Sequence, residues 1–389
     1  MINNSRFRLQ DSKSNVSAFS LCFVAFSLFV SCESKKTKSS YKQGHSLKYA
    51  VGFSINNQGN SKLVEVKYPY QNATSGYKYL LVPKGETTPA HDDQTKVVVV
   101  PLKNIVCTST THIPLLDYLN LTNKLVGFPT TDYISSLKMR ARIDSGKVVD
   151  LGIDKGMNIE RLITLQPSAV MGYTMSNDLG QLKKIQELGL PVVINAEYLE
   201  KHPLGRAEWI KFMALFFNKE KEADSVFNFI EKEYLLTKHL AEQTKTRPTT
   251  MSGIVYGDTW YLPGGKNYAS TLLADAGCNY LWKEDGSNGF LELSFESVYK
   301  KANAADLWIG VGGFISLEEM KASEQRYSKF NAFKEGALYT YNARKGAEGG
   351  SEFLELGYLR PDLILKDLVK IAHPEILENH QLYFYEQLK

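Results

Sequence analysis

Cysteine is scarce, four in 389 residues: with Cys22 and Cys32 in the N-terminal targeting segment, the two that remain cannot make a disulfide framework, and none stands in the C-x-x-C spacing of a zinc site. Cys107 and Cys278 lie in apolar surroundings, NIVCTS and DAGCNY, in different halves of the chain. Two buried thiols are expected there rather than a bridge. Seven histidines are scattered without ligand spacing, which disfavours a zinc or manganese site. No G-x-S-x-G elbow and no H-E-x-x-H occurs. LPGGKNYAS has a Gly-Gly-Lys, but it lacks the first glycine of a phosphate loop and has Asn267 where Ser or Thr is needed. Charge of one sign is lacking too: 46 Lys and Arg against 42 Asp and Glu leave a net +4. No basic stretch is interleaved with aromatics, so nucleic acid is not an expected partner. No catalytic residue, metal ligand or resident cofactor is assigned, and a secreted hydrolase on an α/β fold is the remaining enzymatic alternative.

The N-terminus has a targeting pattern. Arg6, Arg8 and Lys13 precede an apolar run, Val16 to Val30, too short for a comfortable membrane span. The run ends at Ser31 and Cys32, and resembles a bacterial lipoprotein signal in which Cys32 carries the lipid. A signal peptide (1–31) and a flexible tether (32–45) are therefore expected, with the protein anchored to a membrane and facing the periplasm or the cell exterior.

Residues 46–100 alternate in polarity, as in LKYAVGFSINNQGNSKLVEVKYPY, and carry a turn at Asn56–Asn60. They read as a small antiparallel β-rich extension. After Pro101, short apolar strands alternate with helical stretches: NIVCTS, THIPLLDYLNLT, KLVGFP, AVMGYT, PVVINAEY. That alternation predicts a parallel sheet covered by helices. A long helix follows from Asn218 to Gln243, with Asn218 as its cap and Ala223, Val226, Phe227, Ile230 and Tyr234 as its apolar stripe. Strand and helix then alternate again through SGIVYG, NYASTLLADAG, SFESVYKKA, ADLWIGVG, ALYTYNA and PDLILKDLVKIA. The divisions are an N-terminal lobe (101–217), a connecting helix (218–245) and a C-terminal lobe (246–389).

The halves echo each other. Asn158 and Ser294 are expected helix caps, and Glu160 and Glu296 each stand two residues on. A carboxylate in a first turn gains roughly 0.3–1 kcal/mol from the helix dipole. GMNIERLITLQPSAVMGY, with KLVGFP, LGLPVVI and AGCNYLW, resembles the cobalamin-binding and iron-siderophore-binding proteins of ABC importers over about residues 103–375. The resemblance implies an α/β fold of two Rossmann-like lobes bridged by a single long α-helix, with the ligand between them. It also implies that Glu160 and Glu296 dock onto permease arginines, with permease and ATPase subunits as partners of a monomeric binder. Where the cobalamin binder has cleft tryptophans, this chain has Asp154, Tyr173 and Phe290.

Open parallel sheets bind ligands beyond the C-terminal ends of their strands. That rule names Thr110, Thr111 and His112 after the first strand, and Tyr173 after AVMGY. In the second lobe it names Tyr256, Trp260 and Tyr261, with Asn342 and Arg344 after ALYTYNA. Together with Phe290 these are the expected ligand-binding residues. The expected ligand is a metal chelate, a ferric siderophore or related iron complex, with haem or cobalamin as alternatives.

Overall fold

The computed structural model describes residues 47–346 and 348–389. The signal peptide, the tether and Cys32 lie outside the described residues. The extension is a four-stranded sheet of β1 (Phe53–Gln58), β2 (Ser61–Val66), β3 (Tyr77–Pro83) and β4 (Lys96–Val100), in that spatial order. Its first turn is the tight Gly59–Asn60 loop, where Gly59 adopts φ 63°, shorter than the turn expected over 56–60. β1, β2 and β3 are antiparallel, but β4 runs parallel to β3. This corrects the all-antiparallel expectation. Parallel neighbours need a crossover of a dozen or so residues, and residues 84–95 provide it.

The extension packs into the main core. Phe53 lies 4.7 Å from the Trp209 ring and 5.4 Å from Phe212. The buried Tyr79 hydroxyl accepts a hydrogen bond from Ile194 N at 2.8 Å. Two buried carboxylates collect the strand leading into β1. Glu208 accepts from the backbone of Lys48, Tyr49 and Ala50, and Glu200 from Val51, Gly52 and the Trp209 indole. Gly52 is required there, because a Cβ would come within 2.9 Å of Trp209 and 3.0 Å of the Glu200 carboxylate.

The first lobe is a five-stranded parallel sheet: β5 (Ile105–Cys107), β6 (Leu125–Phe128), β7 (Val149–Asp150), β8 (Val170–Gly172) and β9 (Val192–Ile194), ordered β7-β6-β5-β8-β9. Ile105–Cys107 and Val192–Ile194 are wholly buried, as strands covered on both faces must be. The helices are α1 (His112–Tyr118), α2 (Leu137–Asp144), α3 (Ile159–Thr164), α4 (Gln181–Glu187), α5 (Pro203–Glu208) and α6 (Ile210–Leu215). Pro114 sits in the first turn of α1, where its missing N–H costs nothing.

The connecting helix α7 (Glu220–Glu242) has 23 residues, about 35 Å at 1.5 Å per residue. Ala223, Phe227, Ile230 and Tyr234 are buried as the stripe predicts, joined by Thr237 and Ala241. The expected cap fails: Lys219 is the N-cap residue, and Asn218 adopts φ 55°. A capping side chain needs an extended backbone, which a left-handed residue cannot supply.

The second lobe has a main sheet of β10 (Thr249–Ser252), β13 (Asn279–Tyr280), β15 (Leu307–Ile309), β16 (Leu338–Thr340) and β17 (Glu386–Gln387), ordered β13-β10-β15-β16-β17 with only β17 antiparallel. A small antiparallel sheet, β11 (Ile254–Tyr256), β12 (Thr259–Pro263) and β14 (Phe290–Leu293), follows the end of β10. SGIVYG therefore runs into this sheet, and the main-sheet strand is the preceding TTMS. Helices α8 (Tyr268–Asp275), α9 (Phe295–Ala302), α10 (Leu317–Ser323), α11 (Asn331–Lys334), α12 (Glu352–Leu356) and α13 (Pro361–Ala372) complete the lobe. α7 packs on α6 of one lobe and α13 of the other. Cys107 and Cys278 are free, buried thiols.

The lobes also meet directly. Glu355 on α12 accepts from Ser135 N at 2.6 Å and Ser136 N at 2.9 Å, just ahead of α2. Burial, reinforced by Asp117 and Glu352 and opposed by these two N–H donors, lifts its pKa to about 8. A glutamate whose folded pKa is raised binds a proton in the native state that the unfolded chain has released. Stability should therefore fall as pH rises from about 4.5 to about 8. Glu355→Gln should flatten that decline in urea titrations run across the interval; an unchanged slope would show that Glu355 is ionised throughout.

Candidate functional site

Three strands of the first lobe stop at one place. β5, β6 and β8 end at Cys107, Phe128 and Gly172, and the residues that follow them surround an open cavity of about 540 Å³. Its walls are Thr108, Ser109, Thr110, Phe128, Pro129, Thr130, Tyr133, Ile153, Asp154 and Tyr173. The strand order reverses between β5 and β8, which is where open parallel sheets bind ligands.

The loop after β6 is held down by polar contacts. Thr130 adopts φ 54° and donates its N–H to Gly152 O at 2.7 Å. Thr131 donates both its N–H and its hydroxyl to Asp150. Across the cavity, the half-buried Tyr173 points its hydroxyl at Asp154 Oδ2, 3.5 Å away. Burial first, then Asp154, raises the Tyr173 pKa, so it is a neutral phenol at neutral pH. The walls combine hydroxyls and flat apolar surface, and Asp154 is the single charged residue among them. The described residues contain no cluster of three His, Cys, Asp or Glu able to hold a metal ion.

The expected ligand residues divide into several groups. Tyr173 and Thr110 line the cavity. His112 does not: it is fully buried, with both ring nitrogens unpartnered, and burial pushes its pKa down to about 3. It is a neutral core histidine. Trp260 is likewise 0% exposed, stacked 5.3 Å from Trp308 and packed on Phe295, Tyr327 and Phe330. Tyr256 (79% exposed), Tyr261 (37%) and Phe290 (67%) share the other face of the small sheet. Cross-strand partners Tyr261↔Glu292 and Pro263↔Phe290 fix that arrangement, because side chains two apart on a strand share a face. These three form an aromatic surface separate from the first-lobe cavity walls. Asn342 donates to Gly312 O at 3.4 Å, and Arg344 donates to Tyr383 O at 3.1 Å while covering the Tyr383 ring. Both tie loops together.

Sequence reasoning missed Ser109, Phe128, Thr130, Tyr133 and Ile153. The strand-end rule was sufficient for Phe128 and Pro129, which close KLVGFP, and for Thr130, which follows it. Tyr133 and Ile153 come from loops whose path no local pattern fixes.

Glu160 and Glu296 stand where expected. The Asn158 and Ser294 side chains cap α3 and α9, accepting from Arg161 N and Ser297 N, and each glutamate is exposed in the first turn. Their surroundings differ: Glu296 bonds Arg326 at 3.1 Å, whereas Glu160 has no ion-pair partner among the described residues.

Residues 105–344 match the model of a family described as periplasmic binding protein. The chain belongs to the periplasmic binding protein family. An uncharacterized lipoprotein of Methanocaldococcus jannaschii is 28% identical over 333 residues, spanning 82% of this chain and 78% of that protein. A second uncharacterized lipoprotein of the same organism is 29% identical over 81% of each. Among solved structures, a possible iron-binding (periplasmic solute-binding) protein of Staphylococcus epidermidis shares the fold with a TM-score of 0.55 at 19% identity, covering 70% of this chain and 99% of that one. The periplasmic heme-binding protein RhuT of Roseiflexus sp. RS-1 does so with a TM-score of 0.55 at 16% identity and the same coverage. As a periplasmic binding protein the chain is a solute binder with two α/β lobes and a connecting helix.

The burial of Trp260 sets a test for the second lobe. Trp260→Ala should cost about 3–5 kcal/mol of stability, the range for emptying an aromatic core site, read as a lowered urea midpoint. Tyr261→Ala, on the exposed face, should leave the midpoint nearly unchanged. Equal losses would show that both faces of the small sheet are core.

Proposed function

We propose that this chain is a lipid-anchored solute-binding protein that captures a metal chelate, a ferric siderophore or related iron complex, and delivers it to an ABC importer. The observation that carries the reading is the cavity at the strand-order reversal of a periplasmic binding protein, walled by Phe128, Tyr133, Tyr173 and a ring of hydroxyls. The flat walls suit an organic chelator, and the hydroxyls suit its oxygens. The iron- and heme-binding names of two fold neighbours support an iron-containing solute. The lipoprotein names of two relatives support lipidation at Cys32. Haem is a second reading, favoured by Tyr133 and Tyr173, whose phenols are of the type that ligates haem iron. Cobalamin has no such support among the cavity residues.

Native mass spectrometry of the protein purified from its source should reveal the bound solute by mass. Tyr173→Ala should weaken binding of that solute by about 1–3 kcal/mol, the range for truncating an aromatic anchor at a binding surface. Undiminished affinity would remove the cavity from the binding site.

Delivery is assigned to Glu160 and Glu296. Each Glu→Ala change should impair uptake in cells while solute affinity stays intact, and the double change should nearly abolish uptake. Glu160→Arg should be worse than Glu160→Ala, because like charges facing each other across an interface repel. Normal uptake by the double variant would end the docking assignment.

A further inference from the structure

Ser109 lines the cavity, and its hydroxyl is not free to choose a role. Its Oγ lies 2.8 Å from Thr111 Oγ1. Thr111 Oγ1 in turn donates to Glu197 Oε1. A hydroxyl has a single proton. Burial raises the Glu197 pKa and the Thr111 hydroxyl opposes that shift; with Glu197 ionised the Thr111 proton is committed to the carboxylate, and the proton in the Ser109–Thr111 bond comes from Ser109. Ser109 Oγ also accepts from Thr111 N at 3.4 Å. A lone pair is what remains for the cavity. Tyr173 is turned the same way, its proton directed at Asp154.

Glu197 stands apart from the other acids sunk in this fold. Glu200, Glu208, Glu355 and Asp367 each gather two or more main-chain N–H groups from a distant segment. Asp362 instead pairs with Arg360. Glu197 takes no main-chain N–H from a distant segment and no cation: it takes the Thr111 hydroxyl, and its Oε2 has no hydrogen-bond partner among the described residues. A buried carboxylate left half satisfied costs stability, and such groups call for a role beyond packing.

We propose that Glu197, acting through Thr111, holds Ser109 as a hydrogen-bond acceptor facing the cavity, and so selects solutes that bring an N–H, an O–H or a positive charge to that wall. The inference rests on the cavity being the solute site. Against an acceptor, the favoured class is a chelate that carries ammonium or amide N–H donors, and a tris-catecholate complex, whose chelating oxygens are anionic acceptors, is disfavoured. Glu197 touches no solute and is a positioning residue.

Neutron diffraction from deuterium-exchanged crystals of the solute-free protein reads the relay directly. A deuteron on Ser109 directed at Thr111, and one on Thr111 directed at Glu197, are expected; a Ser109 deuteron aimed into the cavity overturns the relay. Selection is read by fluorescence titration with ferrioxamine B, a cationic ferric trihydroxamate, beside a ferric tris-catecholate. Wild type should favour ferrioxamine B. Thr111→Val should weaken that binding about tenfold, the scale of one hydrogen bond to a charged group or its relay, and Thr111→Ser should restore it. Glu197→Gln, whose amide can donate to Thr111, should narrow the preference between the two probes. Full affinity in Thr111→Val, or no rescue by Thr111→Ser, refutes the role of the relay in binding. If wild type binds neither probe while the deuterons lie as expected, the solute assignment of the cavity fails and the hydrogen-bond order stands.

Discussion

A carboxylate below the surface has to find N–H groups, and in this protein those groups belong to stretches of chain that no sheet or helix would hold. Glu208 and Glu200 capture the backbone of residues 48–52 and fasten the extension to α5. Asp367 on α13 accepts from Tyr383, Phe384 and Tyr385 and seats the C-terminal tail. Glu355 reaches from α12 to the start of α2 and joins the lobes. Several main-chain N–H groups converge on one side chain in each case, so a single residue can order a segment without regular structure. The extension is also pinned to the connecting helix, through Lys48–Glu231 and Lys62–Glu220. An opening that separated α12 from α2 would have to break the buried Glu355 bonds. Lobe motion that spares them is a rotation about that edge, with the long helix as a stiff strut.

The second constraint is the sheet itself. Parallel strands hide both faces under helices, so the peptide groups past their C-terminal ends are where a solute can meet backbone and hydroxyls together. In the first lobe, small residues follow these ends, Thr108–Thr110 after β5 and Pro129–Thr130 after β6, and a cavity opens. In the second lobe, β10 runs into the small sheet instead. The Trp260 indole donates to Ser252 O and the Trp308 indole to Gly253 O, and the space beyond the strand is filled by aromatic rings. Similar architecture thus leaves an opening past β5 and β6 in one lobe and packed rings past β10 in the other, decided by side-chain volume.

Much of the fold was legible in the chain because it follows from periodicity and caps. The apolar stripe of α7 and the Asn158 and Ser294 caps all depend on neighbours within a few residues, and they are found as read. Asn218 failed because a cap depends on backbone angle as well as residue type. TTMS was overlooked as a main-sheet strand because its polar residues are buried against neighbouring strands that lie far away in sequence. The site was less legible for the same reason. TWYLP alternates correctly, but both faces carry bulky residues, and only the packing of Phe295, Trp308 and Phe330 determines that Trp260 turns inward and Tyr261 outward. His112 opens a helix at a strand end, the right place for a ligand contact, yet it faces the core, because a helix start presents only some of its side chains to the cavity.

The paired glutamates show how far a local motif carries. Each stands two residues past a capping side chain, in the first turn of a short helix, and each is exposed. The matching lobes reproduce the position and not the neighbourhood. Arg326 lies over Phe295, gives two N–H groups, from Nε and Nη2, to Glu324, and one from Nη1 to Glu296. In the proposed docking, a partner cation at Glu296 would displace that bond or share the carboxylate, which has lone pairs for both, whereas at Glu160 it would meet an acid with no ion pair among the described residues. An exposed ion pair contributes little, typically under about 1 kcal/mol, so Arg326 can be displaced at small cost. What it supplies is orientation: the Glu296 carboxylate is directed by Arg326, whereas Glu160 has no such ion pair among the described residues.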